Sequence, residues 1–228
     1  MDATPITADN PERTSRGDKK TPLIIALTGR PCVGKDSIGD VLLTQQGFMT
    51  IAFAELLRSE VAAAWRIDQR MLSDRPTKEW PIEALAVGMC SDAAFRLWCV
   101  DGGESLTELR SPRWVMQRWA SFKRRFCPDY YSSIVERMIL RLVQAGWNRI
   151  VVTDLRDPVE ESMLRSLGAK VVRVHRPDLA TLPMDTASHE SEQHHRIKAD
   201  ADIVNDSSLV ALAEAVIECV QVLEGGAA

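Results

Sequence analysis

The apolar and polar positions of this 228-residue chain follow two periods that alternate along its length. Leu23-Ile24-Ile25-Ala26-Leu27 is a continuous apolar run, the mark of a strand buried on both faces of a parallel sheet. Ile38, Val41 and Leu42 then recur at helical spacing, and Gly47 is placed to stop that helix. Thr50-Ile51-Ala52 fits a short strand. Phe53, Leu56, Leu57, Val61 and Ala64 share one helical face, which predicts a helix over 53–66 with Arg58 and Glu60 off the stripe. Residues 68–81 carry Pro76, Pro81 and many charges, so they read as a loop. Residues 82–105 are the hardest to read: 82–87 looks helical, Asp101-Gly102-Gly103 is a turn, and an insertion would be easiest to hide here.

Ser111-Pro112-Arg113 has the pattern of a helix start, with Ser as N-cap and Pro in the first turn, and Lys123-Arg124-Arg125 supplies the cations favoured at a helix end. Tyr130, Ile134, Met138 and Leu142 predict an amphipathic helix closed by Gly146. A strand follows at 150–154, a short helix at 160–167 stopped by Gly168, and a strand at 169–175. Residues 176–199 are long, polar and interrupted by Pro177 and Pro183. Segments of that length in compact domains are lids or disordered. Residues 201–205 read as the last strand. Leu209, Leu212, Val216 and Val220 read as the last helix, capped by Ser208. Strands alternating with helices predict an α/β fold, a parallel sheet with helices on both faces.

Composition narrows the function classes. The net charge of −4 and the pI near 5.6 argue against a chain whose main task is holding a nucleic acid polymer. The five cysteines, Cys32, Cys90, Cys99, Cys127 and Cys219, are scattered and include no C-x-x-C pair, so they read as reduced thiols of a cytoplasmic protein. No apolar run approaches the roughly 20 residues of a membrane span, which excludes a membrane partner at this level. Residues 1–20 lack the apolar core of a signal peptide and read as a disordered arm. The expected organisation is that arm, one domain over 21–224 with a helical acceptor-binding region at about 53–145 and a lid at about 176–200, and a tail over 225–228.

The chemistry gathers at the first strand. Gly29 to Lys35 has the spacing G-x-x-x-x-G-K between a strand and a helix, the setting a phosphate-binding P-loop requires. Gly29 and Gly34 let the backbone curl so that the N–H groups of Arg30, Cys32, Val33 and their neighbours point at a phosphate. The helix N-terminus adds partial positive charge and Lys35 a full one. The slot after the lysine, commonly Ser or Thr, is Asp36, with Ser37 next. Asp154 ends an apolar strand in the manner of a Walker-B carboxylate, which would make it a Mg²⁺ partner with Asp36 and Ser37; a helix cap is its other reading. Arg156 follows at the strand's carboxyl end, where open α/β sheets bind ligands. Arg113 and Gln117 lie four apart on one helical face, suited to a phosphate and a base edge respectively. The tryptophans interleaved with Lys123-Arg124-Arg125 read as core residues beneath a solvated face. His189, His194 and His195 lack a metal-ligand spacing and read as lid residues.

Several segments together resemble the deoxynucleoside monophosphate kinases of tailed phages and their bacterial relatives, which are P-loop kinases. These are GRPCVGKDS (29–37), FAELLR (53–58), DRPTKE (74–79), SPRWVMQ (111–117), DLRDPVEESMLRSLGAKVVRVHRP (154–177), SHESE (188–192) and ADIVNDSSL (201–209). Asp157 and Val159 depart from the family's pattern, Ala120-Ser121-Phe122 stands where it often has Gly-Thr-Glu, and 85–105 matches nothing in it. The resemblance implies a P-loop NTPase fold and transfer of the ATP γ-phosphoryl group to a deoxynucleoside 5′-monophosphate with Mg²⁺, with the base left open. It implies Lys35, Arg156 and one of Arg173 or Arg176 as the cations of the reacting group, and Asn205 at the adenine. Arg58, Lys78 and Arg113 would hold the acceptor phosphate, and Gln117 would read the base. A homodimer stays open as the assembly. Two alternatives stand beside this reading: a kinase of another small phosphorylated acceptor, since animal-type phosphomevalonate kinases are similar in the same blocks, and a non-catalytic ATP-binding switch module.

Overall fold

The computed structural model describes residues 21–73, 76–177 and 196–225. Five strands, β1 (Leu23–Thr28), β2 (Met49–Ile51), β3 (Arg149–Val152), β4 (Lys170–His175) and β5 (Ala201–Val204), form one parallel sheet in the order β2-β3-β1-β4-β5. The doubly apolar run is therefore the central strand, with Ala26 opposite Val152 on one side and Val171 on the other. The chain leaves β1 for the β2 edge, returns to β3 beside β1, and crosses to β4. That reversal places the carboxyl ends of β1 and β3 side by side, the place where open parallel sheets hold ligands.

Period-two alternation divides the sheet's side chains between two layers. Ile24, Ala26, Ile150, Val152 and Val171 face a layer built by α5 (Tyr130–Gln144), α6 (Pro158–Ser166) and the start of α2 (Phe53–Trp65). Ile25, Leu27, Val151, Val172 and Val174 face α1 (Lys35–Gln46) and α7 (Leu209–Gly225). Helices cover both faces, as the alternation of elements predicted, and the α/β assignment holds.

A third apolar cluster stands away from the sheet. It joins α2 to α3 (Ala93–Asp101) and α4 (Pro112–Arg124) through Val61, Trp65, Phe95, Cys99, Val115, Trp119 and Phe122. The helix reading of 82–87 is corrected here: Glu83–Leu85 and Val87–Met89 are single 3₁₀ turns, and the true helix begins at Ala93, capped by the Asp92 carboxylate, which accepts the Phe95 N–H at 2.9 Å. The pattern hid α3 because its nine residues bury only Phe95 and Cys99, while Leu97 and Val100 stay exposed.

Smaller corrections have local causes. The buried stripe of α5 is Tyr131, Val135 and Ile139, with Tyr130, Met138 and Leu142 flanking it. The helix expected at 160–167 starts at Pro158, because Asp157 is its N-cap and Glu160 completes a capping box. The loop at 68–81 contains a 3₁₀ turn at Gln69–Leu72. The Ser111 cap and Pro112 start of α4, and the Ser208 cap of α7, are formed as the residues indicated. Among the described residues no helix is long and apolar enough to cross a membrane. The arm at 1–20, Asp74 and Arg75, most of the expected lid with His189, His194 and His195, and residues 226–228 lie outside the described residues.

Candidate active site

The glycine loop leaves the carboxyl end of β1 with backbone angles that few side chains tolerate. Gly29 has φ +138°, Gly34 has φ +104°, and between them Cys32 is held at φ 64°. A Cβ on Gly29 would sit 2.5 Å from the Val174 carbonyl oxygen of β4. That contact is with backbone and cannot swing away. Gly29→Ala is therefore expected to cost about 1–3 kcal/mol of unfolding free energy and to distort the loop, read by denaturant melts and by titration with an ATP analogue. An alanine variant with wild-type stability and nucleotide affinity would remove this constraint. Gly34 is the N-cap of α1 and offers no side-chain oxygen, so the first amides of α1 are left for the loop's ligand. The Asn205 side chain, at the end of β5, donates to the Val33 carbonyl at 2.9 Å and braces the loop from the far side.

Lys35 lies folded across this loop. Its ammonium donates to the Gly29 and Arg30 carbonyls at 2.8 and 2.7 Å. Burial pushes its pKa down to about 8, and the positive charge of Arg156 pushes in the same direction, against the pull of Asp36 and Asp154. Lys35, Arg156 and Asp154 thus share one electrostatic neighbourhood, although Arg156 is 121 positions further along the chain (156 − 35).

Asp154 follows the last residue of β3 by two positions, and both of its oxygens are engaged: one accepts the Phe53 N–H and the other the Ala54 N–H, each at 2.8 Å. It caps α2, whose own N-cap Ala52 has no capping side chain. A carboxylate oxygen keeps a second lone pair, so the cap leaves room for the water shell of a cation. Asp36 is exposed and Ser37 half-buried at the start of α1. Among the described residues no group of three or more acid, His or Cys side chains is assembled for a metal. This sparse oxygen set fits Mg²⁺, which is typically shared between one or two carboxylates, waters and substrate phosphates, and does not fit a thiolate or imidazole metal.

Next to the loop, between α2, α4 and the β3–α6 turn, lies a cleft of about 580 Å³. Arg58, Lys78, Arg113 and Gln117 all line it, and so do Pro31 of the glycine loop, Asp154 and Arg156. Arg58 pairs with Glu55 at 2.7 Å, Arg113 pairs with Glu79, and the Arg113 N–H binds the Lys78 carbonyl at 3.0 Å. Arg173 and Arg176 are not part of the cleft wall. The Arg173 guanidinium donates to the carbonyl of Ile197, tying down the segment that enters β5, and Arg176 is exposed beyond the end of β4.

Three features of this region leave almost no trace in the sequence pattern. The Glu60 carboxylate accepts from Trp119 Nε1 at 2.9 Å, Tyr130 Oη at 2.7 Å and Tyr131 Oη at 3.1 Å, which locks α2, α4 and α5 together. Glu160 is buried in the cleft wall, and burial, with the nearby Asp154 charge second, pushes its carboxyl pKa up to about 7. Arg124, at the end of α4, reaches Glu160 at 3.4 Å and lies 5.7 Å from the Tyr131 ring centre. Only the S/T/D-x-x-E spacing of Asp157 and Glu160, a capping-box pattern, could have pointed to any of them.

The model of the deoxynucleotide monophosphate kinase family matches residues 122–216. That span holds Asp154, Arg156, Glu160 and Asn205 and excludes the glycine loop, so loop and match are separate observations. No curated protein sequence matches the chain. Among solved structures, the dephospho-CoA kinase of Campylobacter jejuni superposes with a TM-score of 0.50 at 14% identity, covering 90% of this chain and 98% of that one. The shikimate kinase of Aquifex aeolicus gives a TM-score of 0.44 at 15% identity, with the same coverage of 90% and 98%. The chain has the fold of a P-loop kinase, and over residues 122–216 it resembles the deoxynucleotide monophosphate kinases.

Proposed function

We propose that the protein transfers the γ-phosphoryl group of ATP to a deoxynucleoside 5′-monophosphate. The observation that carries this reading is the junction of two sites at one end of the sheet. A glycine loop with its lysine opens beside a cleft lined by Arg58, Lys78, Arg113, Arg124 and Arg156. A cleft so rich in cations suits an acceptor that is itself an anion. Phosphoryl transfer needs positioning and charge stabilisation more than covalent chemistry. The loop amides and Lys35 bind the β- and γ-phosphates, Arg156 faces the transferred group, and Asn205 lies near the nucleoside of the donor. Asp36, Ser37 and Asp154 would hold Mg²⁺, which neutralises phosphate charge. Residues 21–224 act as one kinase domain, and Gln117 faces the acceptor's base.

The test is ADP formation from Mg-ATP against a panel of deoxynucleoside and ribonucleoside monophosphates plus phosphomevalonate. Turnover with one or more deoxynucleotides supports the reading and names the base. Turnover with phosphomevalonate alone would keep the donor site and replace the acceptor. ATP binding without transfer to any acceptor would replace the enzyme with a nucleotide-dependent switch.

A pH effect follows from Lys35. With its free pKa lowered to about 8, the ammonium is largely neutral at pH 9 and charged at pH 7. A bound phosphate favours the charged form. Nucleotide binding at pH 9 is therefore expected to take up a proton and to be weaker than at pH 7, with this group contributing almost no uptake at pH 6.5. Calorimetric titrations in buffers of different ionisation enthalpy measure the uptake, and equal uptake at all three pH values would show that Lys35 is not the group responsible.

A further inference from the structure

We propose that Arg124, set in place by the buried carboxylate of Glu160, is the cation that holds the acceptor's phosphate, and that Arg113 and Lys78 lie beyond it toward the other end of the acceptor. This rests on the reading of the cleft as the acceptor site.

The direction of α4 supplies the argument. Arg113, Gln117, Ser121 and Arg124 all line the cleft, so one face of α4 runs along it. At about 1.5 Å per residue, Arg113 and Arg124 are about 16 Å apart along the helix axis. Their surroundings tell which end is which. The Arg113 N–H binds the Lys78 carbonyl at 3.0 Å, in the loop that follows α2. Arg124 instead reaches Glu160 Oε1 at 3.4 Å, while Glu160 Oε2 accepts the backbone N–H of Arg156 at 3.1 Å and of Asp157 at 3.2 Å. The Arg124 end is therefore the end beside Asp154, Arg156 and the glycine loop, where the transferred group must be. In-line transfer requires the acceptor phosphate within contact distance of the donor's γ-phosphate, and a phosphate held at Arg113 would be about three helical turns away.

Arg124 is also prepared for an anion. Glu160 holds it on one side and the Tyr131 ring lies 5.7 Å from it on another, yet its side chain keeps 33% of its surface open. A guanidinium fixed in this way has lost much of its rotamer freedom before the ligand arrives, and its remaining N–H groups form a fork for a phosphate. The Glu160 side chain is only 6% exposed and its oxygens meet Arg124 and the Arg156 and Asp157 N–H groups, so its part is to position Arg124 and the backbone that carries Arg156. With the phosphate at Arg124, Gln117 lies about 10 Å along the helix, within the span of a nucleoside.

The experiment measures equilibrium binding, so it does not depend on turnover. Deoxynucleoside monophosphates and the matching deoxynucleosides are titrated into the full chain and into Arg124→Gln, Arg124→Lys, Arg113→Gln and Glu160→Gln, with thermal melts recorded for each. The ratio of the two affinities isolates the phosphate's contribution. A charge-assisted contact is worth about 10- to 100-fold in affinity. Arg124→Gln is expected to reduce the ratio by that factor, Arg124→Lys to restore part of it, Glu160→Gln to reduce it by less than Arg124→Gln, and Arg113→Gln to change it by no more than about threefold. A merely structural role would weaken nucleoside and monophosphate alike and leave the ratio alone. A large loss in Arg113→Gln with an unchanged ratio in Arg124→Gln would overturn the assignment, as would a wild-type chain that binds no monophosphate. If the wild-type chain binds monophosphates and shows the Arg124 effect but transfers no phosphoryl group, the kinase reading falls and the Arg124 assignment stands.

Discussion

Lys35→Ala is expected to lower phosphoryl-transfer turnover by about 10³-fold or more while leaving the fold in place. The ammonium spans the glycine loop through the Gly29 and Arg30 carbonyls, and neither bond belongs to the sheet or to a helix. Lys35 is no member of the three apolar clusters, and α1 keeps its first backbone bond, from Ile38 N–H to the Gly34 carbonyl at 3.0 Å. What is lost is a full positive charge in a setting buried enough to push its pKa to about 8, where charge is worth far more than in water. The loss should appear mainly in kcat, because charge on the transferred group and the leaving oxygen grows toward the transition state. Steady-state ADP formation, with a melting curve on the same sample, checks both halves. Turnover within tenfold of wild type would remove Lys35 from the mechanism proposed above.

Phe95→Ala is expected to have the largest effect on stability, about 3–5 kcal/mol. Phe95 is fully buried at the centre of the third apolar cluster, with ring centres of Trp65, Trp119, Phe122 and Trp98 at 5.3, 5.2, 5.4 and 6.0 Å. Four rigid rings cannot close over the void that alanine leaves. The transition should fall by roughly 6–20 °C for a chain of this size. The cluster is built from α2, α3 and α4, which carry Arg58, Arg113, Gln117 and Arg124 along the cleft. The same variant should therefore weaken acceptor binding more than nucleotide binding at the glycine loop, whose packing belongs to the α1–α7 layer. Denaturant melts and separate titrations of the two ligands test this. A cost below about 1 kcal/mol would mean that the third cluster contributes little to the cooperative fold.

The division of labour between the two faces of the cleft also explains which residues could be seen early. Arg113 and Gln117 were legible because i and i+4 on a capped helix share a face whatever the helix packs against. Arg58 and Lys78 likewise lie in the cleft. Arg173 came only from the resemblance, as one of two candidate cations with Arg176, and in the structure its guanidinium donates to the Ile197 carbonyl.

What the amino-acid order determined by itself was local. A five-residue apolar run implied a doubly covered strand, two glycines at a fixed spacing before a lysine implied a phosphate loop, and Ser111-Pro112 implied the start of α4. Each of these signals is complete within a few residues, since it depends on backbone angles, caps and a single helical or strand period. The tertiary structure decided the rest. It placed β3 beside β1, so that Asp154 meets the start of α2 from 100 positions away. It buried Phe95 and Cys99 on a short helix whose pattern showed no stripe. It gave Glu60 its three donors and brought Arg124 to Glu160, 36 positions later. A charged residue reads as solvated until its partner is known, and the partner here comes from another element. Burial turns such a residue into a structural or site residue, and burial is a property of the packed chain.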